Sequence, residues 1–126
     1  MVNNFDTPWD FQPIYRNEKY EVVYSQLNEI NQGSPLIGKL IINNVGFGKD
    51  MYFGGPFLID NDKLYIPLFV RKFCITGFRL CEIELQTMNY NLIGRILPLI
   101  FLDRIENKKI FYWINAEKQN ADFFVL

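Results

Sequence analysis

The chain contains no histidine. The side chain most often used as a general base near neutral pH is therefore missing, and no Ser-His-Asp or Cys-His arrangement can form within this chain. Only two cysteines occur, Cys74 and Cys81, too few without histidine for a tetrahedral zinc site of Cys and His ligands. Alanine, the best helix former, occurs only at Ala116 and Ala121, so long helices are not expected. Neither sign of charge dominates: 13 Lys plus Arg against 14 Asp plus Glu give a net charge of −1, without the basic excess of a protein that neutralises many phosphates. Direct nucleic-acid binding is not expected. Apolar runs reach seven residues, as in Ile96 to Leu102 with Pro98 inside it, against about twenty needed to span a bilayer. No transmembrane helix and no membrane partner are expected. The stretch Met1 to Asp6 has neither the basic nor the apolar region of a secretory signal, so the reading is cytoplasmic, with both thiols reduced.

What is present points to strands. Length and composition, 126 residues with 49% hydrophobic and 21% charged, describe one domain over 1–126, large enough to hold a core unaided. Fifteen Ile, twelve Phe and seven Tyr favour β structure. Thirteen Asn lie largely between the apolar runs, where they suit turns. Strands are predicted at Tyr20 to Leu27, Leu36 to Ile42, Asp50 to Phe53, Phe57 to Ile59, Lys63 to Phe69, Phe78 to Leu85, Tyr90 to Ile93, Leu99 to Ile105, Lys109 to Ile114 and Phe123 to Val125. That is about one strand per 8–12 residues, with connections too short for crossover helices, so the fold class is all-β and antiparallel. Gly46-Phe47-Gly48 reads as a loop or bulge.

Two motifs recur. Asn17-Glu18-Lys19-Tyr20, Asn61-Asp62-Lys63-Leu64-Tyr65 and Asn107-Lys108-Lys109-Ile110-Phe111 each place an Asn-x-Lys turn before an aromatic strand, with starts 44 and 46 residues apart. Leu27-Asn28-Glu29-Ile30-Asn31 with Leu36-Ile37-Gly38-Lys39 is echoed by Leu85-Gln86-Thr87-Met88-Asn89 with Leu92-Ile93-Gly94-Arg95. In period and in this succession of turns and strands, the chain from about Asn17 to Ile114 resembles β-propeller blades. The resemblance implies a meander of blade-like hairpins. Because 126 residues hold fewer than three blades of about 45 and a closed propeller needs about four, the expected form is open and propeller-like, or a two-sheet equivalent.

Few constellations carry chemistry. Glu82 and Glu84 alternate along a strand and point to one face, the best paired-carboxylate candidate for acid/base work and also an ordinary solvated face. Asp60-Asn61-Asp62 begins like a calcium loop but lacks the later glycine and glutamate. Gly46 to Asp50 lacks the phosphate-loop spacing. Neither a metal nor a cofactor is expected. Cys74 and Cys81 flank a turn and could sit on paired strands close enough for a disulfide, though each also suits a small buried hydrophobe. Aromatics concentrate in Phe111-Tyr112-Trp113, where Phe111 and Trp113 are expected in the core, and in Phe5, Trp9, Phe11 and Tyr15. The latter alternate with Asp6 and Asp10, the mixture of an acidic aromatic contact surface.

With catalytic machinery largely absent, the expected function is a non-enzymatic protein-binding module. In size, mild acidity and lack of a leader the chain is similar in general character to bacterial immunity proteins, which cover the active site of a cognate toxin. That resemblance implies a protein partner, such as a basic nuclease domain, met by Asp6, Trp9, Asp10, Asp60, Asp62, Glu82 and Glu84. The alternatives are a small carboxylate-dependent enzyme, a carbohydrate-binding domain with a row of exposed aromatics, or a subunit of a larger β assembly that buries the edge strand Phe123 to Val125.

Overall fold

The computed structural model describes residues 5–126. Among the described residues there are eleven strands and no helix: β1 (Ile14–Arg16), β2 (Glu21–Glu29), β3 (Leu36–Ile42), β4 (Val45–Phe47), β5 (Leu58–Asp60), β6 (Lys63–Lys72), β7 (Ile75–Glu84), β8 (Tyr90–Leu97), β9 (Phe101–Glu106), β10 (Lys109–Trp113) and β11 (Ala121–Val125). They form three antiparallel meanders, β1-β2-β3-β4, β5-β6-β7-β8 and β11-β10-β9, here called sheets 1, 2 and 3. None closes into a barrel. The described residues contain no helix long and apolar enough to cross a membrane.

Two apolar layers hold the sheets together. Val22, Tyr24, Leu40 and Ile42 of sheet 1 pack with Leu64, Ile66, Leu68, Cys81 and Ile83 of sheet 2. On the other face of sheet 2, Leu58, Tyr65, Phe78 and Leu80 pack with Leu102, Ile110 and Tyr112 of sheet 3. Sheet 2 is therefore covered on both faces, which explains why Leu64 to Leu68 of β6 are buried without alternation. Pro67 interrupts no ladder bond to β7, because its side of β6 faces the 52–54 segment, where Gly54 N donates to the Pro67 carbonyl at 2.8 Å.

Phe53 links the first two sheets. It forms bridges with Gly38 of β3 and Leu68 of β6, and its ring is fully buried. The strand expected at Asp50 to Phe53 is thus reduced to this bridge, since Gly48 and Asp50 adopt positive φ in the turn that precedes it. Gly38 is needed at that junction: a Cβ there would lie 2.8 Å from the Ser25 carbonyl oxygen.

Three further expectations are corrected. Gly46-Phe47 belongs to β4 rather than to a loop, with Phe47 paired to Leu40. In β10 the core residues are Ile110 and Tyr112, while Phe111 and Trp113 lie half-buried on the opposite face, because Leu102 and Ile110 supply the inward layer. Cys81 is buried in β7 opposite Ile66 whereas Cys74 is exposed in the β6–β7 turn; both are free thiols.

The repeats have different fates. All three Asn-x-Lys turns close the first hairpin of a sheet, β1–β2, β5–β6 and β9–β10. The Leu-Ile-Gly motif occupies unequal places, the β2–β3 hairpin in sheet 1 and the β7–β8 hairpin in sheet 2, so it reflects shared hairpin chemistry rather than a structural repeat.

Candidate functional site

The three Asn-x-Lys turns gather at one rim of the molecule, where Asn61-Asp62 borders one cleft with Asn17 to Tyr20 and another with Asn107-Lys108. Local chemistry fixes each of them. Asn17 Oδ1 accepts hydrogen bonds from Lys19 N at 2.8 Å and Tyr20 N at 2.7 Å, shaping a four-residue loop. Asn61 takes a positive φ between the paired Asp60 and Lys63. Asn107 and Lys108 both take positive φ between Glu106 and Lys109, as a two-residue hairpin that follows the strand twist requires.

Asp62 ties sheets 1 and 2 together at this rim. Its Oδ1 accepts from the Tyr20 hydroxyl at 2.8 Å and lies 3.6 Å from Lys19 Nζ, while Oδ2 accepts from Gln86 Nε2 at 3.0 Å. Its backbone carbonyl accepts from Leu85 N at 2.8 Å, which brings the end of β7 alongside. The hydrogen bond to Asp62 raises the Tyr20 hydroxyl above its ordinary value, with burial second.

Two clefts flank these turns. A smaller one of about 390 Å³ lies between the first hairpins of sheets 1 and 2, along Asn17 to Tyr20 and Asn61-Asp62. A wider one of about 750 Å³ lies between sheets 2 and 3, walled by Asp60, Asp62, Lys63, Glu84, Glu106 and Lys108 over Tyr65 and Ile105. Four carboxylates against two ammonium groups make this wider cleft acidic. Among the described residues Asp60 and Glu84 form no ion pair, whereas Glu106 bonds Arg104 at 3.2 Å. No group of three His, Cys, Asp or Glu able to hold a metal ion occurs among the described residues.

The structure brings together only part of the expected contact set. Asp60, Asp62 and Glu84 meet at the wide cleft. Glu82 shares their face of β7 but is half-buried opposite Tyr65, whose hydroxyl is raised first by burial and then by its bond to Glu82. Trp9 and Asp10 lie at the opposite rim, where Trp9 Nε1 donates to the Gly33 carbonyl at 2.9 Å and Leu36 N donates to Pro8 O. Asp6 borders a small apolar notch with Phe11, Tyr15 and Phe57, and its charge acts on the buried Tyr24 hydroxyl. Of the aromatics in the N-terminal segment, Phe11 is buried in the core, whereas Phe5 and Trp9 are exposed. Sequence reasoning does not find Tyr20, Gln86, Glu106 and Lys108 as site residues. The Asn-x-Lys repeat is the available signal for two of them, Tyr20 and Lys108. Compared with protein-family models, curated proteins and solved structures, the chain matches none.

Proposed function

We propose that this chain is a non-enzymatic protein-binding module that receives a basic partner on its acid-lined rim, in the manner of an immunity protein covering the active site of a toxin. The observation that carries the reading is the wide cleft in which Asp60 and Glu84, which form no ion pair among the described residues, stand beside Asp62 and Glu106. A nuclease-like partner presents cations that bind phosphate, and such a row of carboxylates offers them a substitute for the substrate backbone. Complementary charge of this kind speeds association and selects the partner more than it deepens affinity. The first turn is held by the Asn17 side chain and the second by the Asp62 network, so the carboxylates are presented on a preformed surface.

The test compares the wild-type chain with the double variant Asp60→Asn, Glu84→Gln as bait for proteins of the source cell, at low and high salt. A stoichiometric basic protein is expected on the wild type, weakened by salt and lost from the variant, and its enzymatic activity should be blocked by wild type alone. Equal capture by both baits, or a captured enzyme left active, would overturn the reading.

A further inference from the structure

At the rim opposite the acidic cleft, the β6–β7 hairpin outruns the rest of the fold. Its ladder is regular for ten residue pairs, from Lys63↔Glu84 to Lys72↔Ile75. Neighbouring support stops earlier: the segment around Phe53 last bonds β6 at Phe69, and β8 pairs with β7 only as far as Phe78. Beyond that point Arg71 to Thr76 are exposed without exception. Phe73 at the tip is fully exposed and Ile75 is 54% exposed. From Leu64 to Cys81 the sequence has no acidic residue, only the cations Arg71, Lys72 and Arg79. Phe73 also holds φ at +52°, at the first central position of a two-residue turn where glycine is the usual occupant. A bulky side chain kept in that conformation, and fully in water, serves neither packing nor turn formation.

We propose that this finger docks onto an anionic lipid bilayer. Phe73 leads into the interface with Ile75 and the apolar stem of the paired Lys72 behind it, while the charged ends of Arg71 and Lys72 remain at the level of the headgroups. The dimensions agree: Arg71 stands two residue steps from Phe73 at the tip, about 7 Å at about 3.3 Å per residue, and interfacial elements bury their apolar part by roughly 5–10 Å. The charge agrees as well, because a cationic collar on a hairpin that carries no acid of its own between Leu64 and Cys81 complements a negatively charged leaflet. A protein partner fits less well, since a stable interface covers on the order of 800 Å² per side and a six-residue projection has no flat surround to supply it. Chain length sufficient to span a membrane is not required for such surface contact. The finger acts independently of the acidic rim, which lies at the other end of β6 and β7, beside Lys63 and Glu84.

Binding is measured by co-sedimentation of the full chain with mixed phosphatidylglycerol and phosphatidylcholine vesicles, and with phosphatidylcholine vesicles alone. The wild type is expected on the anionic vesicles only, with affinity falling as salt rises. Phe73→Gly removes the wedge and supplies the residue the turn favours, so it should lose binding at least about tenfold while its melting temperature holds or rises. Arg71→Gln and Lys72→Gln should each cost about fivefold. Phe73→Trp should show blue-shifted emission on the anionic vesicles. No binding of the wild type, or equal binding of Phe73→Gly, would overturn the proposal. So would a captured protein that is lost with Phe73→Gly while vesicles leave the wild type unbound, which would assign the finger to a protein pocket.

Discussion

Cys81 lies in the middle of β7 with no accessible surface, and burial pushes its thiol up to about 12, with the neighbouring Glu82 charge as the second cause. The core accepts the neutral thiol, so the folded value lies above the ordinary 9.0. Below pH 9 both folded and unfolded chains keep the proton, and the contribution to stability is complete. Above it the unfolded chain releases a proton that the folded chain holds, so stability falls by about 1.4 kcal/mol per pH unit until the folded thiol also ionises. Tyr24 and Tyr65, both raised first by burial, add the same sign from about pH 10 upward. Urea midpoints should therefore be flat to about pH 9 and then decline. In Cys81→Ala the midpoint at neutral pH should drop through lost packing, and the first part of the alkaline decline, before the tyrosines titrate, should flatten. An unchanged slope in that window would remove Cys81 as its source.

Turns set the register of individual elements, and two adjacent asparagines with different roles show how. Asn43 and Asn44 both adopt positive φ between Ile42 and Val45, the pattern of a tight hairpin turn in which Asn-Gly is favoured. The Asn43 side chain does more than fit the turn, because its Oδ1 accepts from Glu21 N at 2.8 Å and so ties the turn to the start of β2. Asn44→Gly is expected to be neutral or stabilising by up to about 0.5 kcal/mol, because glycine meets the same backbone at no steric cost. Asn43→Gly gains equally in the turn but loses the cross-strand bond, for a net cost of about 1 kcal/mol. Thermal unfolding of the two variants decides this, and equal effects would mean that the bond to β2 carries no weight. The same elements show what can be read from sequence. Strands of five residues or more, such as β2, β3, β6 and β10, are legible because their apolar residues run long enough to show period or continuity. The three-residue β1 and β4 are not: Ile-Tyr-Arg and Val-Gly-Phe have no period, and pairing with β2 and β3 makes them strands. The site is legible as three similar turns, together with Asp60, Asp62 and Glu84 as candidate contacts. Their meeting with Gln86, Glu106 and Lys108 depends on how sheet 2 packs against sheet 3, which no local pattern encodes.

For the whole molecule, the arrangement of layers predicts unequal cooperativity. Sheet 2 contributes to both apolar layers, whereas sheet 3 touches only one, through Leu102, Ile110 and Tyr112 against Leu58, Tyr65, Phe78 and Leu80. Sheet 3 also has three strands against four in each of its neighbours, and Phe123 and Val125 of its outer strand β11 are exposed. A unit held by a single layer can open while the other two stay packed. Amide exchange in the native chain should therefore be slowest in β6 and β7 and faster throughout β9, β10 and β11. Ile110→Ala sharpens the test, because this fully buried side chain belongs to the one layer that holds sheet 3, to which sheet 1 contributes only Ile37 among the buried residues. Its truncation should cost about 2–5 kcal/mol and speed exchange across β9–β11 by a factor of about thirty to a few thousand. Protection in β2 and β3 should change far less. If exchange rises equally in all three sheets, the fold opens as one cooperative unit, and the wall that Glu106 and Lys108 add to the acidic cleft is then as firmly held as the wall from sheet 2.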